Sequence, residues 1–468
     1  MPETILAIDI GSTKVCAIIA EIENDRIQII GHGIAKSQGV KKGNITNIEQ
    51  ASKAIKKALG DAKRIAGSNI STATVSISST YAKSIKSNGI VNIPGKEISI
   101  KEINRVMQTA LYNANIPTEY SVLHVLPFNF KVDEQSFIDD PFGMNANRLE
   151  VDANIIVAQK SSLSNLQKAI KSAGVEVENI VVNGYASLIS TVTEDETELN
   201  VAVIDMGGQT SNLVIHAGNS IKHSDFLAVG SNHITNDLSM ALHTPLQVAE
   251  NVKLRHANLL ESSEETIELP IIGDERNTNS VSLDTVYNVI VSRVEETLLL
   301  LKKSIDDSKL KEQLGGGIVL TGGMTKIKGI REFAQMIFGG MPVRVAFPSK
   351  VSGLFNELKD PSFATVVGLL LYRAGQHTEY EININQELLH SKDTSDPFTE
   401  ASSPQLSDIR LNDVVEDTKN EIKQRKEQQS VARKEKSEIG FSLDELSSNP
   451  IEENNPFKKF TNWAKQLF

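Results

Sequence analysis

The chain has 468 residues, 40% of them hydrophobic and 23% charged, which allows two or three domains with real cores and matches a globular profile. Its formal net charge of −11 argues against a general nucleic-acid binder. The single cysteine, Cys16, admits no intramolecular disulfide and fits a reducing, cytoplasmic setting, while no apolar run approaches the roughly 20 residues a bilayer span needs and the start of the chain is not a signal-peptide pattern.

In chain order, Thr4–Ile8 reads as a strand that ends on Asp9, turns through Gly11-Ser12-Thr13-Lys14 and returns as Val15–Ala20. Another extended run follows at Gln28–Gly33. The pattern then predicts a helix capped by Thr46, with Glu49 in capping-box position and Ile48, Ala51, Ile55, Ala58 and Leu59 at helical spacing. Ala73–Ile77 gives a further strand. Strands followed by a helix and a strand indicate an α/β domain whose ligand lies at the strand ends.

From 84 to 161 the texture changes. A short strand at Gly89–Ile93 precedes an amphipathic helix over Lys101–Asn115, and strands Ser121–Lys131 and Val151–Gln159 flank a loop at Pro141–Met144. This reads as an inserted α+β module with no catalytic constellation, equally suited to an interaction surface or to scaffolding.

The first domain resumes through a helix over Ser162–Ala173, then Ile180–Asn183 and Gly184–Leu188. The next stretch organises the chain. Val201–Ile204 ends on Asp205, turns through Gly207-Gly208-Gln209-Thr210 and resumes as Leu213–Ile215, repeating the order strand, aspartate, glycine, hydroxyl, strand seen at the start. Glycines let backbone N–H groups converge on an anion, an aspartate there can hold a water of Mg²⁺, and Lys14 suits a β- or γ-phosphate. Either tip alone is equally an ordinary polar hairpin, and Lys14 equally a solvated turn lysine. Two copies roughly 200 residues apart instead suggest a duplicated domain whose halves face each other across a nucleotide.

After the second tip, a strand near Ser220–Val229 and a helix from Ser231 repeat the earlier order. In the helical segment Leu246–Arg255, Glu250 and Lys253 share a face, as a surface ion pair or as a ribose and base clamp. An exposed loop over Glu261–Asn279 leads to a long amphipathic helix, Leu283–Ile305. Ile318–Leu320 then enters Thr321-Gly322-Gly323-Met324, either a simple strand-to-helix turn or a flat seat for a ring. The last helical run, Ala364–Tyr372, carries Gly368 for close packing.

These stretches carry a resemblance. AIDIGSTKV, VIDMGGQTSNLVI and IVLTGGM resemble the phosphate 1, phosphate 2 and adenosine motifs of the actin, Hsp70 and sugar-kinase superfamily, and FATVVGLLL resembles its second connecting segment. Within it, GHGIAKSQGVKKGNITN, SVLHVLPFNFKVD and TPLQVAENVKLRHA are similar to the FtsA family of actin-like cell-division proteins. The resemblance implies a duplicated actin-like (ribonuclease H-like) α/β fold with two lobes around a nucleotide cleft. The first lobe would take residues 1–83 and 162–195, an FtsA-type 1C insert 84–161, the second lobe 196–350 and a return to the first lobe 351–378.

It also implies ATP with Mg²⁺. Asp9 and Asp205 would organise the metal through water, while Gly11, Ser12, Thr13, Lys14, Gly207, Gly208, Gln209 and Thr210 would grip phosphates. Glu250 and Lys253 would hold ribose and base, and Gly322, Gly323 and Met324 would line the adenine. The insert would contact neighbouring subunits in a filament and later division proteins. The second lobe would bind the FtsZ C-terminal tail, with Arg293 and Glu296 assigned to part of that surface. One departure limits the enzymology: where relatives present a carboxylate, the first connecting segment reads Val182-Asn183-Gly184-Tyr185, and an amide cannot take a proton. The expectation is therefore at most weak ATPase activity, with ATP acting as a conformational and polymerisation ligand.

Residues 379–454 are rich in Ser, Asp, Glu, Lys and Gln and read as a flexible charged linker. Residues 455–468 differ. Asn455 and Pro456 open a helix on which Phe457, Phe460, Trp463, Leu467 and Phe468 share one side, opposite Lys458, Lys459 and Lys465. Such a helix fits an amphipathic anchor on anionic lipid, or a tail that docks on a partner. Together these readings predict a peripheral protein on the cytoplasmic face of the inner membrane at the division site, anchoring FtsZ filaments. The alternatives are a pilus-assembly actin-like protein, an actin-fold small-molecule kinase and an Hsp70-type chaperone, the last expected to carry a folded substrate domain where this chain has a linker.

Overall fold

The structure, a computed structural model, describes residues 2–390 apart from 24–25, 79, 81, 349–350 and 354. The expected linker from 391 onward and the expected amphipathic helix 455–468 lie outside the described residues.

The first lobe opens with the hairpin β1 (Glu3–Ile10) and β2 (Lys14–Glu23), followed by β3 (Arg26–Lys36), the short pair β4 (Val40–Lys41) and β5 (Asn44–Ile45), helix α1 (Ile48–Ala66) and β6 (Thr72–Ile77). Helix α1 starts one residue later than expected. Asn47, not Thr46, is its N-cap and accepts from Gln50 N at 2.9 Å, whereas the Thr46 hydroxyl donates to Gly39 O and Glu49 pairs with Lys53.

The insert comprises β7 (Ala82–Glu97), α2 (Ile100–Asn113), β8 (Tyr120–Val132), β9 (Gln135–Ile138) and β10 (Asn145–Gln159), with the antiparallel order β7-β10-β8-β9. Ile103, Val106, Met107 and Ala110 bury one face of α2 against it. The first lobe then resumes with α3 (Lys160–Ser172), β11 (Glu176–Val182), α4 (Asn183–Thr191) and the short α5 (Glu194–Glu198).

The second lobe begins with β12 (Val201–Met206), β13 (Ser211–Ala217), β14 (Ser220–Leu227), α6 (Ser231–Ala241) and α7 (Leu246–His256). The stretch expected as an exposed loop is largely a hairpin, β15 (Thr266–Ile271) and β16 (Asp274–Ser282): β15 carries the strand formers Thr266, Ile267 and Ile271, and a turn at Gly273, where φ is 82°, folds the polar β16 back on it in antiparallel register. Helix α8 (Leu283–Asp307), β17 (Ile318–Thr321), α9 (Ile330–Ile337) and β18 (Val343–Val345) complete the lobe, and α10 (Ala364–Arg373) returns to the first core.

The two lobes share one strand plan. In the first the order is β3-β2-β1-β6-β11, and in the second β14-β13-β12-β17-β18. In each, three antiparallel strands joined by hairpins are followed by two strands parallel to the first. This is the duplication expected from the two tips. It sets Asp9 of β1 and Asp205 of β12 at equivalent strand ends.

Composition misplaced the start of the linker. Tyr380, Glu381, Ile382 and Asn383 are buried, and Ile382 exchanges backbone hydrogen bonds with Val125 of β8 at 2.9 and 3.1 Å. Glu381 is the reason a polar stretch can be interior: it accepts from His124 Nδ1 at 2.6 Å, Tyr185 Oη at 2.8 Å and Tyr372 Oη at 2.9 Å. Val182 N donates to His124 Nε2, which fixes the imidazole proton on Nδ1. Four separate segments are thereby tied at one buried carboxylate.

Candidate nucleotide site

Both tips have the same closure. Gly11 N donates to Lys14 O at 3.0 Å, and Gly207 N donates to Thr210 O at 2.9 Å. The tips also touch: a Cβ on Gly208 would collide with the Thr13 hydroxyl, so only glycine lets the second tip approach the first. Gln209 reaches across as well, its Oε1 accepting from Lys42 N at 2.6 Å, and Ser12 Oγ accepts from Gly43 N at 3.0 Å. Thr210 is buried beneath its tip.

The two strand-end aspartates are interior, each 7% exposed. Ser76 Oγ donates to Asp9 Oδ1 at 2.7 Å, and Asp205 Oδ2 accepts from Ser187 at 3.1 Å and from Thr365 at 3.2 Å. Burial raises the pKa of Asp9 against the pull of Ser76 and Lys14. Burial first, and then the charge of Asp9, pushes Asp205 up to about 6. Lys14 is lowered to about 8, chiefly by burial. Its Nζ donates to Ser362 Oγ at 2.7 Å and lies 3.1 Å from the centroid of the Phe363 ring.

The remaining expected residues adjoin these. Ser231 N and Asn232 N donate to the carbonyls of Gly207 and Gly208 at 3.0 and 2.7 Å, which seats the start of α6 on the second tip. One turn on, Thr235 and Lys253 share Glu250: Lys253 Nζ meets Glu250 Oε2 at 2.7 Å, Thr235 Oγ1 at 2.9 Å and Ser231 O at 3.2 Å. The pair thus belongs to a network that continues into the second tip. Gly322, with φ at 91°, lies against the Asp205 carboxylate, where any side chain would clash. Gly323 faces Ser362, and Met324 is buried.

Arg293 and Glu296 stand apart from this cluster. Arg293, read from sequence as an exposed partner-surface residue, is 19% exposed and held by Asp237 of α6 and by Glu296. Phe457, Lys458, Lys459, Phe460, Trp463, Lys465, Leu467 and Phe468 lie outside the described residues.

Several contributors were not singled out one by one from sequence, although Phe363 and Thr365 lie in the FATVVGLLL stretch. Ser76 is a polar residue on a buried strand, and Ser187 and Thr365 are hydroxyls inside apolar helices. Ser362 and Phe363 sit just before a helix and meet Lys14 only through the fold. Among the described residues, the amide oxygens of Asn183 and Asn212 are buried with no hydrogen-bond partner. Asn212 is directly opposite Asp205 on β13 and close to Gly184.

The donor set fits a magnesium nucleotide. Glycine tips suit phosphate oxygens, and two buried carboxylates that repel each other gain from a divalent cation. Among the described residues no cluster of three or more His, Cys, Asp or Glu side chains forms, so a cation here would rest on Asp9, Asp205, water and ligand oxygens.

Comparison with known proteins gives the same organisation. A family model described as "Cell division protein FtsA" matches residues 202–368, and one described as "SHS2 domain inserted in FTSA" matches 80–157, against the expected insert at 84–161. The chain is 41% identical over 411 residues to a cell division protein FtsA of Helicobacter pylori, covering 81% of this chain and 83% of that one. It is 30% identical over 397 residues to its Escherichia coli counterpart, covering 83% and 94%. Among solved structures, a PilM-PilN type IV pilus biogenesis complex aligns with TM-score 0.58 at 17% identity over 79% of this chain and 98% of that one. MreB5 of Spiroplasma citri bound to ADP aligns with TM-score 0.50 at 14% identity over 79% and 96%. These structural likenesses establish an actin-like fold.

Proposed function

The chain belongs to the FtsA family of cell division proteins, and from that premise we propose that it is an ATP-binding, polymer-forming tether that anchors FtsZ filaments to the cytoplasmic face of the inner membrane. The observation that carries the nucleotide part is the meeting of two identically closed glycine tips, two buried aspartates and one lysine at a single point. The ADP held by MreB5, a protein of the same fold, supports this reading.

In the mechanism, Gly11–Lys14 and Gly207–Thr210 receive phosphates with backbone N–H groups and hydroxyls. Asp9 and Asp205 would hold Mg²⁺ through water, and the ion would supply the positive charge that the two carboxylates call for. Glu250 and Lys253, braced by Thr235, hold ribose and base, and Gly322 and Gly323 let the adenine lie against backbone. Asn183 and Asn212 offer two buried acceptors to a water but neither can take its proton, so turnover is weak. The nucleotide acts by its greater affinity for the closed arrangement of the lobes.

Filament contacts and later division proteins use the insert, and the FtsZ tail uses the second lobe. A single short amphipathic helix binds lipid weakly and reversibly, so a polymer that gathers many tails supplies the needed avidity. The test is sedimentation with anionic liposomes, with and without Mg-ATP, of the full chain and a chain ending at Asn454. Tail-dependent, nucleotide-enhanced binding is expected, together with binding of an FtsZ C-terminal peptide. Phe460→Asp with Trp463→Asp should abolish sedimentation and leave ATP binding intact; unchanged sedimentation would remove the anchor. ATP binding without any affinity for the FtsZ peptide would favour the pilus-type alternative.

A further inference from the structure

A six-residue stretch, Asp360–Thr365, touches three motifs that lie far apart in the chain. The Pro361 carbonyl accepts from Gly322 N and from the Thr321 hydroxyl, both at 3.2 Å. Thr365 donates to Asp205, and Ser362 and Phe363 receive the Lys14 ammonium. The stretch is itself held in shape. Asp360 accepts from Ser362 N at 2.9 Å, closing the short 3-10 helix Pro361–Phe363, and pairs with Lys326 at 2.8 Å.

The ammonium of Lys14 is unusual in what it lacks. Among the described residues it makes no ion pair; its contacts are a hydroxyl and an aromatic face, while Asp9 and Asp360 act on it only through space. A mostly buried cation without a direct counter-ion is unfavourable unless an anion completes it. An ammonium has three N–H donors; Ser362 takes one and Phe363 lies beneath another, which leaves a donor free for a ligand oxygen. A lysine side chain also carries rotamer freedom worth up to about 2 kcal/mol, lost when it is fixed in one place. Here it is fixed before a ligand arrives.

We propose that Ser362 and Phe363 are positioning residues for phosphate binding, holding Lys14 so that its remaining N–H meets the β- or γ-phosphate of the nucleotide. The proposal rests on the nucleotide-binding reading above. It gives Phe363, which also packs in the first lobe's core, a second role beneath the lysine. It also explains how the segment that closes the first lobe takes part in a site whose phosphate-facing parts are two hairpin tips.

The experiment is equilibrium binding of Mg-ATP, Mg-ADP and adenosine to the full chain, to Ser362→Ala, Phe363→Leu and Lys14→Ala, and to Ser362→Ala combined with Lys14→Ala. Melting curves without ligand establish that each variant is folded; should Phe363→Leu fail, Ser362→Ala decides. Ser362→Ala and Phe363→Leu are each expected to weaken Mg-ATP about three- to tenfold with adenosine unchanged, and Ser362→Ala should add nothing in the Lys14→Ala background. Equal losses for adenosine and ATP, or an undiminished effect of Ser362→Ala without Lys14, would overturn the proposal. Tighter ATP binding by Ser362→Ala would also overturn it, because the seat would then compete with the phosphate. A wild-type chain that binds adenosine but not ATP removes the positioning role, and one that binds no adenine ligand removes the nucleotide reading itself.

Discussion

Asp205 is interior, lies within the field of Asp9, and is pushed up to about 6, above its ordinary 3.8, by burial first and by Asp9 second. A carboxyl raised on folding binds a proton that the unfolded chain has released, so the nucleotide-free protein loses stability as pH rises from about 4 through about 6. The effect at neutral pH is on the order of 2–3 kcal/mol. Asp205→Asn keeps an acceptor for Ser187 and Thr365 and should therefore raise the melting temperature at pH 7.5, with a much smaller effect at pH 4, while losing stabilisation by Mg-ATP. Lys14 shifts the other way. With its pKa lowered to about 8, the free ammonium is partly neutral above that pH, and binding a polyphosphate must take up a proton. ATP affinity should fall above pH 8, by at most about tenfold per unit, and Lys14→Arg should flatten the profile. Calorimetry in two buffers of different ionisation enthalpy would show the proton uptake directly.

At the scale of elements, two glycines separate stability from binding. Gly368 of α10 lies against the Ala186 carbonyl of α4, both inside the first core, where neither backbone can yield. Gly368→Ala should cost about 3 kcal/mol or more and lower the melting temperature of the whole chain. A Cβ at Gly208 would collide with the Thr13 hydroxyl, with the Thr13 Cβ and Asn232 Oδ1 farther off, at a half-buried tip. Gly208→Ala should leave melting almost unchanged and weaken Mg-ATP by forcing the tips apart, which parallel melting and binding measurements would separate. The sequence showed both glycines in their roles, one at a tip and one on a closely packed helix. It did not show the cap of α1, because Thr46 and Asn47 are both good N-caps and the carbonyl of Gly39 decides between them by engaging Thr46.

For the whole molecule, the decisive junction is the one around Glu381. Three donors from β8, α4 and α10 converge on it, and Tyr380 and Ile382 join the insert's core. A chain ending at Lys392 should therefore melt like the full chain and bind nucleotide equally. A chain ending at Thr378 should lose stability by several degrees or fail to accumulate, with the insert the first part to exchange amide protons. Equal melting of the two truncations would show the junction to be dispensable.

The duplicated lobes, the two tips, the inserted module and the pairing of Glu250 with Lys253 were all legible in the sequence, because each depends on short-range order: hydrophobic period, glycine at a turn, charges three apart on a helix. What composition concealed was long-range. Residues 379–390 run straight into a long polar stretch and look like linker with it, yet Glu381 meets Tyr372 nine residues before it and His124 and Tyr185 from far along the chain. Ser362 and Phe363 likewise gain their meaning only where the fold brings Lys14 to them. Local pattern fixes what a segment can form; only the tertiary structure decides which buried charge meets which partner, since a hydrogen bond or an ion seat between residues hundreds of positions apart leaves no period to read.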